Sequence, residues 1–129
     1  MAAQTHVEQK YIDYWKARQV EYDAQCKVWE QEAWVDVKSV SALLRSQFGA
    51  TKIVVFGSLV KDRFGEDSDI DLAVEGMNSR DLFKALVAVN KCSRREIDLK
   101  PMEDLDPYFK QRVLETGTMI ELGSKDETV

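Results

Sequence analysis

Residues 52–76 decide the fold, and they read KIVVFGSLVKDRFGEDSDIDLAVEG. The run at 53–56 is short, apolar and rich in β-branched residues, and it is followed at once by Gly57 and Ser58. A run of this kind bounded by glycine predicts a buried β-strand that ends in a sharp turn. Because Gly57 has no Cβ, backbone N–H groups and the Ser58 hydroxyl in this turn could face phosphate oxygens.

A second strand is predicted at 68–74, where polar and apolar residues alternate. Side chains alternate between the two faces of a strand, so Asp69 and Asp71 share one face and the apolar residues share the other. Two carboxylates about 4 Å apart repel each other by roughly 4 kcal/mol at a surface-like dielectric. A divalent cation reverses that repulsion, and carboxylate oxygens are the ligands that Mg²⁺ prefers.

Gly57 and Ser58, ten further residues and then Asp69-x-Asp71 form a pattern with fixed spacing. This pattern resembles the signature of the polymerase-β-type nucleotidyltransferase superfamily. The short chain resembles the minimal nucleotidyltransferases (MNT) of that superfamily, the MntA-like antitoxins paired with HEPN-domain toxins. The resemblance implies an α/β (α+β) fold, with a small mixed sheet and helices mainly on one face. The sequence departs from the minimal family at 59–62, LVKD, where those proteins often carry an Arg-Ala-Arg-Gly-like run.

The resemblance also implies a third acidic residue on a neighbouring strand. Asp98, in the sequence EIDLKP, is the best match because it lies opposite the apolar face of a predicted strand, and Glu96 is the alternative. Asp69, Asp71 and Asp98 would then be the catalytic residues and the ligands of two Mg²⁺ ions. Asp98 could also accept the proton of the attacking hydroxyl.

The nucleotide-binding residues that the resemblance implies are Gly57, Ser58, Lys61 and Ser68. The Gly57 N–H and the Ser58 hydroxyl would hold the β- and γ-phosphates of ATP. Lys61, together with Arg63, would offset the triphosphate charge. The alternative for Lys61 and Arg63 is an ordinary position on the charged surface.

As function, the resemblance implies transfer of AMP from Mg·ATP to a tyrosine hydroxyl of a cognate HEPN ribonuclease toxin, which inactivates the toxin. The protein would form a hetero-oligomer with that toxin. Two alternatives stay open: an antitoxin that neutralises its partner by binding alone, and a nucleotidyltransferase that acts on a small molecule or an RNA end.

Composition limits the other possibilities. The 129 residues predict one domain, and the net charge of −5 is spread without a basic stripe, so extended nucleic-acid binding is not expected. Lys91, Arg94 and Arg95 could contact RNA locally or could simply be solvated. No apolar run is long enough to span a membrane, no signal peptide is recognisable, and the two cysteines form no motif. We therefore expect a cytoplasmic protein with free thiols.

The first 48 residues contain neither glycine nor proline, and their apolar residues recur at spacings of three, four and seven. This pattern predicts one long helix, or two helices with a break near residues 32–38. Six tyrosine and tryptophan residues precede residue 35, and a domain of this size has a limited core in which to bury them. They could pack in the core or contact another protein. We divide the chain into a helical extension that could bind a partner (1–36), the nucleotidyltransferase domain (37–122) and a polar tail (123–129).

The remaining elements follow from periodicity and from turn residues. A short helix is predicted to begin at 59–63, and a longer one is predicted to end near Asn90. The later predictions are a strand at 95–100, a helix at 108–115 and a short strand at 118–122.

Overall fold

A computed structural model of the protein describes residues 2–120, with side chains from residue 8 onward. Residues 2–120 form three α-helices and four β-strands. In chain order they are α1 (Ala2–Phe48), β1 (Lys52–Phe56), β2 (Ile70–Glu75), α2 (Leu82–Lys91), β3 (Ile97–Pro101), α3 (Pro107–Thr116) and β4 (Thr118–Ile120).

The predicted elements are present, with differences at their ends. The helix predicted to begin at 59–63 is instead a 3₁₀ turn at Gly57–Leu59. Arg95 and Glu96 precede β3 rather than opening it, because the partner strand β2 begins at Ile70, which pairs with Ile97. The last two residues of the strand predicted at 118–122, and the polar tail at 123–129, lie outside the described residues.

The sheet is mixed, with the strand order β3-β2-β1-β4. β1 pairs antiparallel with β2 and β4, whereas β2 and β3 are parallel. Two parallel strands need a crossover connection, and α2 provides it. The register sets Asp71 of β2 directly beside Asp98 of β3.

The two faces of the sheet are buried differently. The apolar face of β1, β2 and β3 packs against α1 and α2 and forms the main core, which includes Val37, Leu44 and Ala85. The opposite face carries a smaller cluster of Val54, Ala73, Met102 and Val113, in which α3 supplies Val113. Two of the three helices therefore cover one face, and the carboxylates lie on the other face beside α3.

Helix α1 is continuous from Ala2 to Phe48, so the alternative of two helices with a break at 32–38 is wrong. No glycine or proline interrupts it, and Gly49, at φ +75°, follows its end. Residues 8–25 are exposed throughout, whereas Ala33 and later apolar residues enter the core. Within residues 2–120, no helix combines the length and the hydrophobicity that a membrane crossing requires.

Candidate active site

Three carboxylates converge at one end of the two parallel strands. Asp71 and Asp98 are direct neighbours across β2 and β3, and Asp69 immediately precedes β2. The pKa of Asp71 is raised, first by burial and then by the negative charges of Asp98 and Asp69, while the charge of Lys100 opposes the increase. The structure therefore pairs Asp71 with Asp98 in the sheet and places Asp69 near enough to influence the pKa of Asp71. Glu96, the alternative to Asp98, lies exposed ahead of β3.

The turn after β1 lies against Asp71. Gly57 has a φ of +81°, and a Cβ at this position would overlap Oδ2 of Asp71. Phe56 is the register partner of Asp71, which places the turn beside that carboxylate. The Ser58 carbonyl accepts hydrogen bonds from the backbone N–H groups of Lys61 and Arg63, at 3.3 and 3.0 Å. Only glycine allows the turn to approach Asp71 so closely.

The other predicted nucleotide-binding residues are divided between two places. Lys61 lines a cavity of about 390 Å³ together with Gly57, Phe109 and Arg112 of α3. Arg63 instead lines a groove between the loop before β2 and α1. The Ser68 hydroxyl accepts a hydrogen bond from the Gly65 N–H at 2.8 Å, so in this structure it closes the loop that leads to Asp69.

Arg95 holds this loop in place. Its guanidinium lies over the ring of Trp29 on α1, at 5.4 Å, and over the ring of Phe64 in the loop, at 4.8 Å. It also donates hydrogen bonds to the carbonyl oxygens of Glu66 and Ser68. Such contacts are stronger for a planar guanidinium than for an ammonium group. Arg95 is therefore an internal connection between α1 and the loop, not a solvated charge.

The turn before β3 is anchored to α1 in a similar way. Asp36, which is buried, accepts hydrogen bonds from the backbone N–H of Arg94 at 2.9 Å and from the Ser93 hydroxyl at 3.4 Å. The Arg94 side chain forms ion pairs with Glu32 at 3.4 Å and with Asp36 at 3.9 Å. These contacts hold α1 against the segment that leads into Asp98.

A protein-family model described as "Polymerase beta, Nucleotidyltransferase" matches residues 38–127. The chain belongs to the polymerase beta nucleotidyltransferase family. This match confirms the resemblance stated from the Gly57–Asp71 pattern. No curated protein sequence matches the chain at a significant level.

Solved structures similar to this nucleotidyltransferase show the same fold. One, described as a minimal nucleotidyltransferase, has a TM-score of 0.61 and 24% identity, and the match covers 72% of this chain and 95% of the other. A toxin-antitoxin structure with AMP-PNP has a TM-score of 0.56 and 20% identity over 72% and 78% of the two chains. The MntA-HepT toxin-antitoxin structure has a TM-score of 0.54 and 19% identity over 74% and 78%. The fold class predicted from the sequence is therefore confirmed.

Divalent metal ions are typical of this nucleotidyltransferase family, and the carboxylates fit such an ion by their chemistry. Their oxygens are hard donors, and the pKa of Asp71 is raised by burial first and then by the negative charges of Asp98 and Asp69, which a bound cation would offset. Among residues 2–120, however, no three acidic, histidine or cysteine side chains are grouped closely enough to hold a metal. The Lys100 ammonium lies 3.3 Å from Oδ2 of Asp98 instead.

Two residues of the site were not assigned a role from the sequence. Lys100 follows Asp98 by two positions on the same strand, so the alternation alone places both on one face. Arg112 lies on α3, far along the chain from Gly57, and no local pattern connects the two residues. Their proximity results from the packing of α3 against β1.

Proposed function

We propose that this nucleotidyltransferase transfers AMP from Mg·ATP to a tyrosine hydroxyl of a cognate HEPN ribonuclease toxin in the cytoplasm, and so inactivates it. The observation that carries the proposal is the close packing of the Gly57 turn against Asp71, with Asp98 beside Asp71 in the sheet. We propose that this turn binds phosphate, and its position against Asp71 supports that role. The similarity in fold to toxin-antitoxin structures, one of which contains AMP-PNP, supports the choice of partner and nucleotide.

Each group has a role in the proposed reaction. The tyrosine oxygen attacks the α-phosphorus of ATP, a new oxygen–phosphorus bond forms, and the bond to pyrophosphate breaks. Asp98, whose Oδ2 lies 3.3 Å from the Lys100 ammonium, accepts the hydroxyl proton. Mg²⁺ bound by Asp69, Asp71 and Asp98 would neutralise phosphate charge and lower the pKa of the hydroxyl. Gly57 and Ser58 orient the β- and γ-phosphates.

Labelled ATP tests the proposal directly. The protein is incubated with Mg²⁺, ATP labelled at the α-phosphate and the protein encoded by its neighbouring gene. We expect label on a tyrosine of the partner, and no label when ATP carries the isotope at the γ-phosphate. The double substitution Asp69→Asn and Asp71→Asn should abolish labelling, whereas Glu115→Gln, which changes an exposed acid on α3, should not. An unlabelled partner in the wild-type reaction would reject the proposal.

Neutralisation by binding alone is the second candidate, and exposed rings on α1 favour it. Tyr11, Tyr14, Trp15 and Tyr22 form the aromatic surface of α1 and are 65, 56, 52 and 45% exposed. Tyr11 and Tyr14 both make edge-to-face contacts with Trp15. Exposed aromatic side chains grouped on one element are typical of protein-binding surfaces. We propose that residues 1–36 contact the toxin in either case.

The Asp69→Asn and Asp71→Asn double variant separates the two candidates. If AMP transfer inactivates the toxin, the variant should fail to neutralise it even at a stoichiometric dose. If the variant neutralises the toxin as well as the wild type does, binding is sufficient and catalysis is secondary. Replacing Trp15 with alanine should weaken complex formation in both cases, as measured by calorimetry.

A further inference from the structure

We propose that the cavity between the Gly57 turn and α3 holds the terminal phosphates of the nucleotide, and that Arg112 is a direct ligand of those phosphates. The inference rests on the proposed use of ATP and adds a residue that no motif of the sequence contains. The cavity has a volume of about 390 Å³ and is lined by Gly57 and Lys61 on one side and by Phe109 and Arg112 on the other. This volume is within the range of small-ligand sites.

The charges around the cavity favour a polyanion. Lys61 and Arg112 are both exposed, and in the described residues neither takes part in an ion pair. Two cations from different elements, neither of them ion-paired to a residue that the structure describes, therefore line one small cavity. A guanidinium binds phosphate through two parallel hydrogen bonds, and an ammonium group contributes a point charge.

The position of the cavity relative to the carboxylates gives the orientation of the nucleotide. Gly57 lines the cavity and also lies against Asp71, because a Cβ on Gly57 would overlap the Asp71 carboxylate, whereas Asp71 does not line the cavity. The α-phosphorus must lie on the Asp71 side, where the reaction takes place. The β- and γ-phosphates then extend past Gly57 into the cavity, where Lys61 and Arg112 offset their charge.

Helix α3 is fixed firmly enough to supply such a ligand. The Asp106 carboxylate caps its first turn by accepting the backbone N–H groups of Tyr108 and Phe109, at 2.9 and 3.2 Å. Val113, next to Arg112, is buried against the sheet. Arg112 therefore projects from a capped helix that is packed on the sheet through the adjacent Val113.

Calorimetric titration of the full chain with four probes tests this inference: AMP-PNP with Mg²⁺, ADP, AMP and inorganic tripolyphosphate. Arg112→Ala and Lys61→Ala should each weaken binding of AMP-PNP and tripolyphosphate roughly tenfold, the loss expected for one partly exposed charge-assisted contact. Binding of AMP should change less than twofold. Lys110→Ala removes a cation from α3 outside the cavity and should change none of the four affinities by more than twofold. Circular dichroism checks that each variant is folded.

Unchanged binding of AMP-PNP to the Arg112→Ala variant would overturn the inference, and so would an equal loss for AMP and AMP-PNP. A wild-type protein that binds neither AMP-PNP nor tripolyphosphate would overturn it as well. These outcomes are separate from those of the transfer reaction. If AMP-PNP binds through Arg112 but no label reaches the partner protein, the proposed function fails and the phosphate site stands.

Discussion

Replacing Asp71 with asparagine should stabilise the fold at neutral pH while removing activity. Asp71 and Asp98 are register partners on adjacent strands, which are about 4.8 Å apart. Two unit charges about 5 Å apart repel by roughly 3 kcal/mol at an effective dielectric of 20. The Lys100 ammonium 3.3 Å from Asp98, and the 46% exposure of the Asp98 side chain, reduce this repulsion. After that reduction we expect a gain of about 1 kcal/mol in the free energy of unfolding.

The gain in the free energy of unfolding should increase as the pH rises. The pKa of Asp71 is raised above its ordinary value of 3.8 in the folded protein, so between the two values the folded state binds more protons than the unfolded state. The wild type therefore loses stability as the pH rises from 3.8 through the folded pKa. The Asp71→Asn variant lacks this loss. The two stability curves should converge below pH 3.8 and separate above it.

Thermal unfolding in the presence of EDTA, from pH 3 to pH 8, measures the effect. A gain of about 1 kcal/mol should raise the Tm by roughly 3–5 °C for a domain of this size. Glu75→Gln is the matched control, because it removes an exposed acid of the same strand that forms an ion pair with Lys52 at 3.7 Å. It should change the stability by less than about 0.5 kcal/mol. An Asp71→Asn variant that is no more stable than the wild type at pH 7.5 would refute the claim of crowded carboxylates.

Three further substitutions test the surroundings of the site. Gly57→Ala should destabilise the protein by at least about 2 kcal/mol in urea unfolding, because φ is +81° and the new Cβ would overlap Asp71. Gly49→Ala is the control: φ is +75°, but the new Cβ would have no atom nearer than 3.9 Å, so the free energy of unfolding should fall by only about 1 kcal/mol. Ser41→Ala should be neutral or stabilising by roughly 0.5–1 kcal/mol, because the Ser41 hydroxyl is buried and has no hydrogen-bond partner among the residues that the structure describes. Arg95→Met should cost about 2 kcal/mol and accelerate amide hydrogen exchange in the loop at 64–69, because two hydrogen bonds and two ring contacts are lost.

Each of these expectations has an outcome that contradicts it. Equal losses for Gly57→Ala and Gly49→Ala would show that the turn does not lie against Asp71. A Ser41→Ala variant that loses more than about 1 kcal/mol would show that the hydroxyl is hydrogen-bonded after all. Unchanged exchange in Arg95→Met would show that the loop is ordered without Arg95.

The sequence predicted the strands and the shared face of the carboxylates because both depend on local periodicity. Asp71 alternates with buried residues on β2, and Asp98 does so on β3, so each had to point away from the main core. The parallel pairing of the two strands then made them neighbours. Local periodicity does not decide between one helix and two over residues 1–48, because a helix without glycine or proline can still end at a tertiary contact.

The contacts of Arg95 and Arg112 could not be predicted in the same way. Arg95 lies between Trp29 and Phe64, which belong to separate parts of the chain, and a list of basic residues cannot distinguish it from a solvated arginine. Arg112 reaches the Gly57 turn only because α3 packs on β1. Both positions are set by tertiary packing rather than by periodicity.

The most direct test asks whether Asp69, Asp71 and Asp98 form a nucleotide-dependent metal site. Mn²⁺ replaces Mg²⁺, and its binding is measured by electron paramagnetic resonance with AMP-PNP present. The wild type should bind Mn²⁺ more tightly than AMP-PNP alone does, and Asp71→Asn and Asp98→Asn should each lose that added affinity while remaining folded. If Mn²⁺ binds the wild type and both variants equally, the carboxylates at the ends of β2 and β3 are not a metal site, and the catalytic account is wrong.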